Sequence, residues 1–123
     1  MKALSVRGDY VMDMITGKKK IEYRTWSTKY RGPLLMCSTA KKVAGAAPGY
    51  AICIVNLYDV RYDKLEGIWN WYIEDARPIK PIHVKGQLKL FNVPDKLIKP
   101  ISKDQFDDEI KKYIYKPKWR KKR

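Results

Sequence analysis

The chain has 123 residues, 27 of them Lys or Arg against 13 Asp or Glu, so its formal charge is +14 with the single histidine neutral. That length suits one domain with one hydrophobic core, and 45% hydrophobic with 12% aromatic residues excludes a wholly disordered polypeptide. Its most apolar windows, 33–37 and 50–58, are strand-length and fall far short of the ~20 apolar residues of a membrane helix.

In chain order, Lys2–Val6 alternates enough for a first strand, and as an apolar run it is too short for a secretory leader. Gly8-Asp9 offers a turn and an N-cap. Tyr10, Val11, Met14 and Ile15 then form one stripe at helical period, with Gly17 as the stop. The segment Lys20–Trp26 alternates polar and apolar, as a half-buried strand does. Lys20, Glu22, Arg24 and Trp26 share one face of it, and Ile21 and Tyr23 are expected to turn to the core. Ser27–Gly32 reads as a turn, Pro33–Ser38 as an apolar strand, and Thr39–Pro48 as a loop or short helix.

Gly49–Asp59 is the best candidate for a central strand, ending by Arg61. Residues 63–70 read as irregular and Trp69–Glu74 as a strand with Trp69, Trp71 and Ile73 inward. Arg77-Pro78-Ile79-Lys80-Pro81 reads as an irregular extended connection, because proline lacks a donor. Two short strands or a bulged one are expected over 82–93, a helical turn at Asp95–Leu97, and a last helix over Asp104–Tyr115. Short strands, few helices and frequent turns predict an α+β protein, a small mixed β-barrel with short capping helices.

Cys37 and Cys53 sit inside apolar runs and read as small core residues of a reducing, cytoplasmic protein. No metal site is expected, since His83 is the only histidine and reads as structural. No cofactor is expected, nor a membrane partner, and the chain reads as a monomer.

The charge points elsewhere. Residues 111–123 hold eight basic side chains and no acid, and +14 less these eight leaves +6 for residues 1–110. The expected organisation is one domain over 1–110 and a basic tail over 111–123, whose Tyr113, Tyr115 and Trp119 interleave with the cations. A body and tail that are both basic attract polyanions, of which nucleic acid is the commonest. Lys, Glu, Arg and Trp on one strand face supply phosphate contacts and a stacking surface, although a solvated sheet face has the same composition. Arg77 is a further candidate phosphate ligand.

The series Gly17-x-Lys19-x-x-Glu22-x-Arg24, followed by Trp26, Thr28, Arg31-Gly32 and Thr39-Ala40-Lys41-Lys42, resembles the activating signal cointegrator homology (ASCH) domain of the PUA-like superfamily. Gly49–Asp59 resembles that family's middle strand, and Pro81-Ile82-x-Val84-Lys85-Gly86 with Leu90-Phe91-x-Val93 its closing segment. The resemblance implies a PUA-like β-barrel with a cleft that binds RNA or a nucleotide. Lys19, Glu22 and Arg24 become cleft residues, Arg31 a phosphate contact, Trp26 a wall or stacking residue, and Thr28, Thr39, Lys41 and Lys42 further contacts.

Some relatives are hydrolases that cleave a modified cytidine's acetyl amide with a Lys, a Thr and a Glu, and one branch cleaves RNA. Here Glu22 stands where the nucleophilic Thr aligns, and a carboxylate does not replace an activated hydroxyl. A hydrolase, whether ribonuclease or modified-nucleoside amidohydrolase, would instead use Lys19 with a carboxylate, namely Glu22, Glu74 or Asp75. A protein-interaction adaptor is the third reading.

Overall fold

Strand β1 (Lys2–Val6) buries Ala3, Leu4 and Val6 and passes at Arg7 into helix α1 (Gly8–Ile15). The computed structural model describes residues 1–118. Arg7, not Gly8 or Asp9, occupies the N-cap position, and Asp9 lies in the first turn with an ion pair of 2.9 Å to Arg7. Gly8 is buried because a Cβ there would meet the Ala46 Cβ at 2.7 Å, so the helix start rests directly on the 39–49 loop. Val11 and Met14 enter the core, whereas Tyr10 leaves the expected stripe and is 43% exposed.

Strands β2 (Ile21–Arg24), β3 (Gly32–Ser38), β4 (Tyr50–Asp63), β5 (Ile68–His83) and β6 (Phe91–Asn92) join β1 in a six-stranded sheet of order β2-β5-β4-β3-β1-β6. Only β1 and β3 run parallel. Helix α2 (Lys103–Ile110) packs on β5, and Asp95–Leu97 makes one 3-10 turn.

The middle of the sheet is covered on both faces, which explains the unbroken apolar runs of β3 and β4. Leu34, Met36, Ile52, Val55 and Leu57 join α1 and Trp71 in one cluster, while Leu35, Cys37, Ala51 and Ile54 meet Ile79, Phe91 and Val93 in another. Each fully buried Leu or Ile contributes roughly 1.5–3 kcal/mol. Trp71, the largest fully buried side chain, donates its indole N–H to the Trp26 carbonyl at 3.2 Å. Cys37 and Cys53 are free buried thiols, and burial pushes both up to about 12.

The structure revises four expectations. Ile21 and Tyr23 face outward, Tyr23 being 53% exposed, and the charged face of β2 turns in, with Glu22 opposite Trp71. Strands β4 and β5 form one long hairpin in place of the short strand and irregular segments. Its turn closes through Asp63, whose Oδ1 accepts from the Leu65 and Glu66 amides, and Gly67 at φ 68°. Pro78 and Pro81 are accommodated because the ladder slips there, between Ala51 and Cys53. Between His83 and Asp95 the chain is irregular except for β6.

Helix α2 opens on a Ser102–Gln105 capping box and ends at Ile110, five residues before the expected end at Tyr115. There Tyr115 turns away to exchange backbone hydrogen bonds with Gly45 and Ala46, at 3.1 and 2.7 Å.

Candidate functional site

Helix α1 stops where Gly17 takes a left-handed conformation, φ 82°, open to glycine without penalty. The Gly17 amide then bonds to the Met14 carbonyl at 3.1 Å, and the Lys19 amide reaches back to the Asp13 carbonyl at 3.0 Å. Those two bonds fix where Lys19 leaves the backbone. Its Nζ sits 3.4 Å from Glu22 Oε1, and 5.0 and 4.8 Å from the ring centres of Tyr10 and Tyr23.

Glu22 is 4% exposed and its other oxygen, Oε2, accepts from Arg24 Nη1 at 3.0 Å. Arg24 also points the same nitrogen at the Ser5 carbonyl on β1, 3.5 Å away, and stands 5.7 Å over the Trp26 ring. The arginine thereby spans from edge strand β2 to β1 as the sheet curls into a barrel. Trp26 meets Trp71 edge-on at 4.8 Å, with Lys89 6.0 Å above it. Two cations share one buried carboxylate, so the cluster keeps a net positive charge.

Lys19 also lines a cleft of roughly 500 Å³ between the end of α1 and the β4–β5 hairpin. Met14, Ile15, Val55 and Ile73 supply its apolar surface, and Thr16, Lys20, Tyr58, Glu74 and Asp75 its polar one. Two bulges shape it. Asp75 and Ala76 together oppose Val55, with Asp75 at φ 53°, and Tyr58 is the extra residue between the Leu57–Ile73 and Asp59–Tyr72 pairs. Glu74 accepts from the Asn56 carboxamide at 2.9 Å.

A model of the ASCH domain matches residues 4–99. The chain belongs to the ASCH domain family. The crystal structure of ASCH from Zymomonas mobilis is similar in fold, with a TM-score of 0.59 at 11% identity over 77% of this chain and 88% of that one. A single-site variant of that protein gives 0.57 at 12% identity, over 77% and 91%. No curated protein matches in sequence. The ASCH domain here is thus an α+β, PUA-like barrel with short capping helices, as the resemblance implied.

Within this ASCH domain Lys19, Glu22, Arg24 and Trp26 come together, and the other candidates do not join them. Arg31 folds back on its own turn, donating to the carbonyls of Thr28 and Tyr30 at 2.9 and 2.8 Å, while the Thr28 hydroxyl accepts from the Tyr30 amide. Thr39, Lys41 and Lys42 lie on the β3–β4 loop, where Thr39 is tied by its backbone to Val6 and Gly49, and Lys42 stands 6.0 Å from the Tyr115 ring. Arg77 is exposed just beyond the Asp75–Ala76 bulge, in a shallow groove with Asn56 and Asp75. His83 is exposed and edge-on to Tyr50 at 5.5 Å.

Tyr113 and Ile114 pack against the core. Trp119 and the basic residues 120–123 lie outside the described residues. Among the described residues no helix is long and apolar enough to cross a membrane, and no three His, Cys, Asp or Glu side chains converge on a metal position. Tyr58, Val55 and Ile73 carry no motif, and the bulged hairpin brings them into the cleft with Lys19.

Proposed function

We propose that this ASCH domain binds RNA or a nucleotide in the cleft between the end of α1 and the β4–β5 hairpin, with Lys19 as its phosphate contact. One observation carries the reading: apolar side chains, two lysines and two carboxylates line the same 500 Å³ space. A base uses the apolar surface, a phosphate uses Lys19 and Lys20, and the amino or hydroxyl groups of base and ribose need acceptors such as Glu74 and Asp75. Glu22 and the two tyrosine rings hold Lys19 in place, which lowers the entropy lost on binding.

Arg24 and Trp26 belong to the adjoining barrel seam. Thr28, Arg31, Thr39, Lys41, Lys42 and Arg77 are assigned peripheral contacts to the nucleic-acid backbone. A basic tail over 111–123, beyond a domain over 1–110, adds affinity without sequence preference.

Titration of labelled single-stranded RNA and of a nucleoside monophosphate into the wild type, Lys19→Ala and Lys20→Ala tests this, with a thermal melt on each. Loss of one charged hydrogen bond predicts about tenfold weaker binding or more. Unchanged affinity in both variants overturns the cleft, and no binding by the wild type leaves the protein-adaptor reading.

A second reading, hydrolysis in the same space, is favoured by Lys19 and Glu74 both lining it. Glu74 would take the proton of an attacking water while Lys19 neutralised the oxyanion. Glu22, with each oxygen already held by a cation, would position Lys19 and transfer no proton. Product released by the wild type and lost in both Lys19→Ala and Glu74→Gln supports it; intact RNA and modified nucleoside after long incubation rejects it.

A further inference from the structure

Because Glu22 and Arg24 turn inward, their neighbours Ile21 and Tyr23 stand on the opposite side of β2, and the register carries that face across two more strands. Tyr23 lies opposite Asn70 and Ile21 opposite Tyr72 on β5, and beyond them Asn70 meets Arg61 and Tyr72 meets Asp59 on β4. The bulge adds Tyr58 beside Asp59, its ring 6.2 Å from Tyr72, and the Arg61 guanidinium stands 5.7 Å over Tyr72. Tyr23 and Tyr58 are 53% and 50% exposed, far more than packing requires of a tyrosine.

At the β2 edge the face continues into a groove walled by Tyr10 and Tyr23 and floored by Lys18, Lys19 and Lys20. Asp13 lines this groove and Asp59 pairs with Arg61 at 2.6 Å, so four cations face two carboxylates along the track. An apolar protein partner would strip these cations of water and give them no counter-charge, and a duplex would present its phosphates but hide its bases. Single-stranded nucleic acid satisfies both halves, with phosphates beside the cations and bases on the rings.

We infer that the outer face of β2, β5 and β4 is a stacking track for single-stranded nucleic acid, centred on Tyr23 and Tyr72, which shares Lys19, Lys20 and Tyr58 with the cleft at its border but lies on the other side of β2. The track does not rest on the cleft reading, since Tyr72 and Arg61 line only the shallow groove on this face.

The test measures binding of a labelled single-stranded oligouridylate and of the same sequence as a duplex by the full chain and its variants. Tyr72→Ala, and separately Tyr23→Ala, weakens single-strand binding by about tenfold each, the loss of one stacked base. Tyr72→Phe keeps it, and a nucleoside monophosphate binds both Tyr72 variants as it binds the wild type. Should Tyr72→Ala melt early, Arg61→Ala carries the test, through the loss of about one unit of slope in the salt dependence of single-strand binding. Unchanged affinity in the alanine variants, equal loss in Tyr72→Phe, or tighter binding of the duplex overturns the track. A failed cleft looks different: Lys19→Ala then leaves mononucleotide binding intact whatever Tyr72 does.

Discussion

Adjacent residues of one short strand meet two unlike environments in this ASCH domain. Glu22 and Arg24 face the barrel interior, where one carboxylate holds two cations and the arginine reaches the opposite side of the sheet. Ile21 and Tyr23 face out, where Tyr23 is half exposed and touches Lys19 from the solvent side. Polar residues turned inward must be mutually satisfied, so each depends on its partners. Aromatic residues turned outward spend no stability on position and are free to contact a ligand.

The sharpest way to break that contrast is Glu22→Ala against Tyr23→Ala. Removing the buried carboxylate leaves two facing cations and is expected to cost about 3 kcal/mol or more, lowering the thermal midpoint by roughly 10 °C or more. Tyr23→Ala should stay within ~0.5 kcal/mol of wild type. Equal melting losses from the two would mean that the inner cluster is as solvated as the outer face.

Arg24→Ala comes next. It strands Glu22 with Lys19 alone and removes the reach to Ser5, so an intermediate loss of about 1–3 kcal/mol is expected in urea unfolding. No loss would show that the barrel seam needs no arginine.

The two thiols sharpen the comparison through pH. Burial holds Cys37 and Cys53 neutral up to about 12 from an ordinary 9.0, whereas in the unfolded chain they ionise near 9.0. A raised folded value contributes stability that is complete below 9 and lost as pH climbs towards 12. Alkaline melts should therefore fall across that window, and Cys37→Ala with Cys53→Ala should flatten the fall.

The smallest expected effect is that of Arg61→Ala on the outer face. Stability should be unchanged, because exposed ion pairs contribute little, while the salt dependence of oligonucleotide binding loses about one unit of slope. An unchanged slope would detach Arg61 from the nucleic acid.

Much of this was legible before folding. The alternation over 20–26 assigns Glu22, Arg24 and Trp26 to one face, because the strand period is two, while Lys20 precedes β2 and lines the outer groove. The apolar runs of β3 and β4 demand burial on both faces, and Gly17 marks the helix end by its freedom at positive φ. The family motif was readable too, since it rests on residue identity and spacing.

Which face of β2 is inside was not. Ile21 and Tyr23 look more apolar than Glu22 and Arg24, and only the partners decide otherwise: Lys19 arrives from the helix turn, and Ser5 from the strand next to the far edge. The cleft was equally hidden, because a bulge is a mismatch between two strands and neither strand's own sequence announces it. Composition, period and motif are local properties that the 123 residues determine by themselves. The satisfaction of a buried charge and the slip of a ladder are pairwise properties of residues far apart in the chain, so they exist only once the barrel has closed.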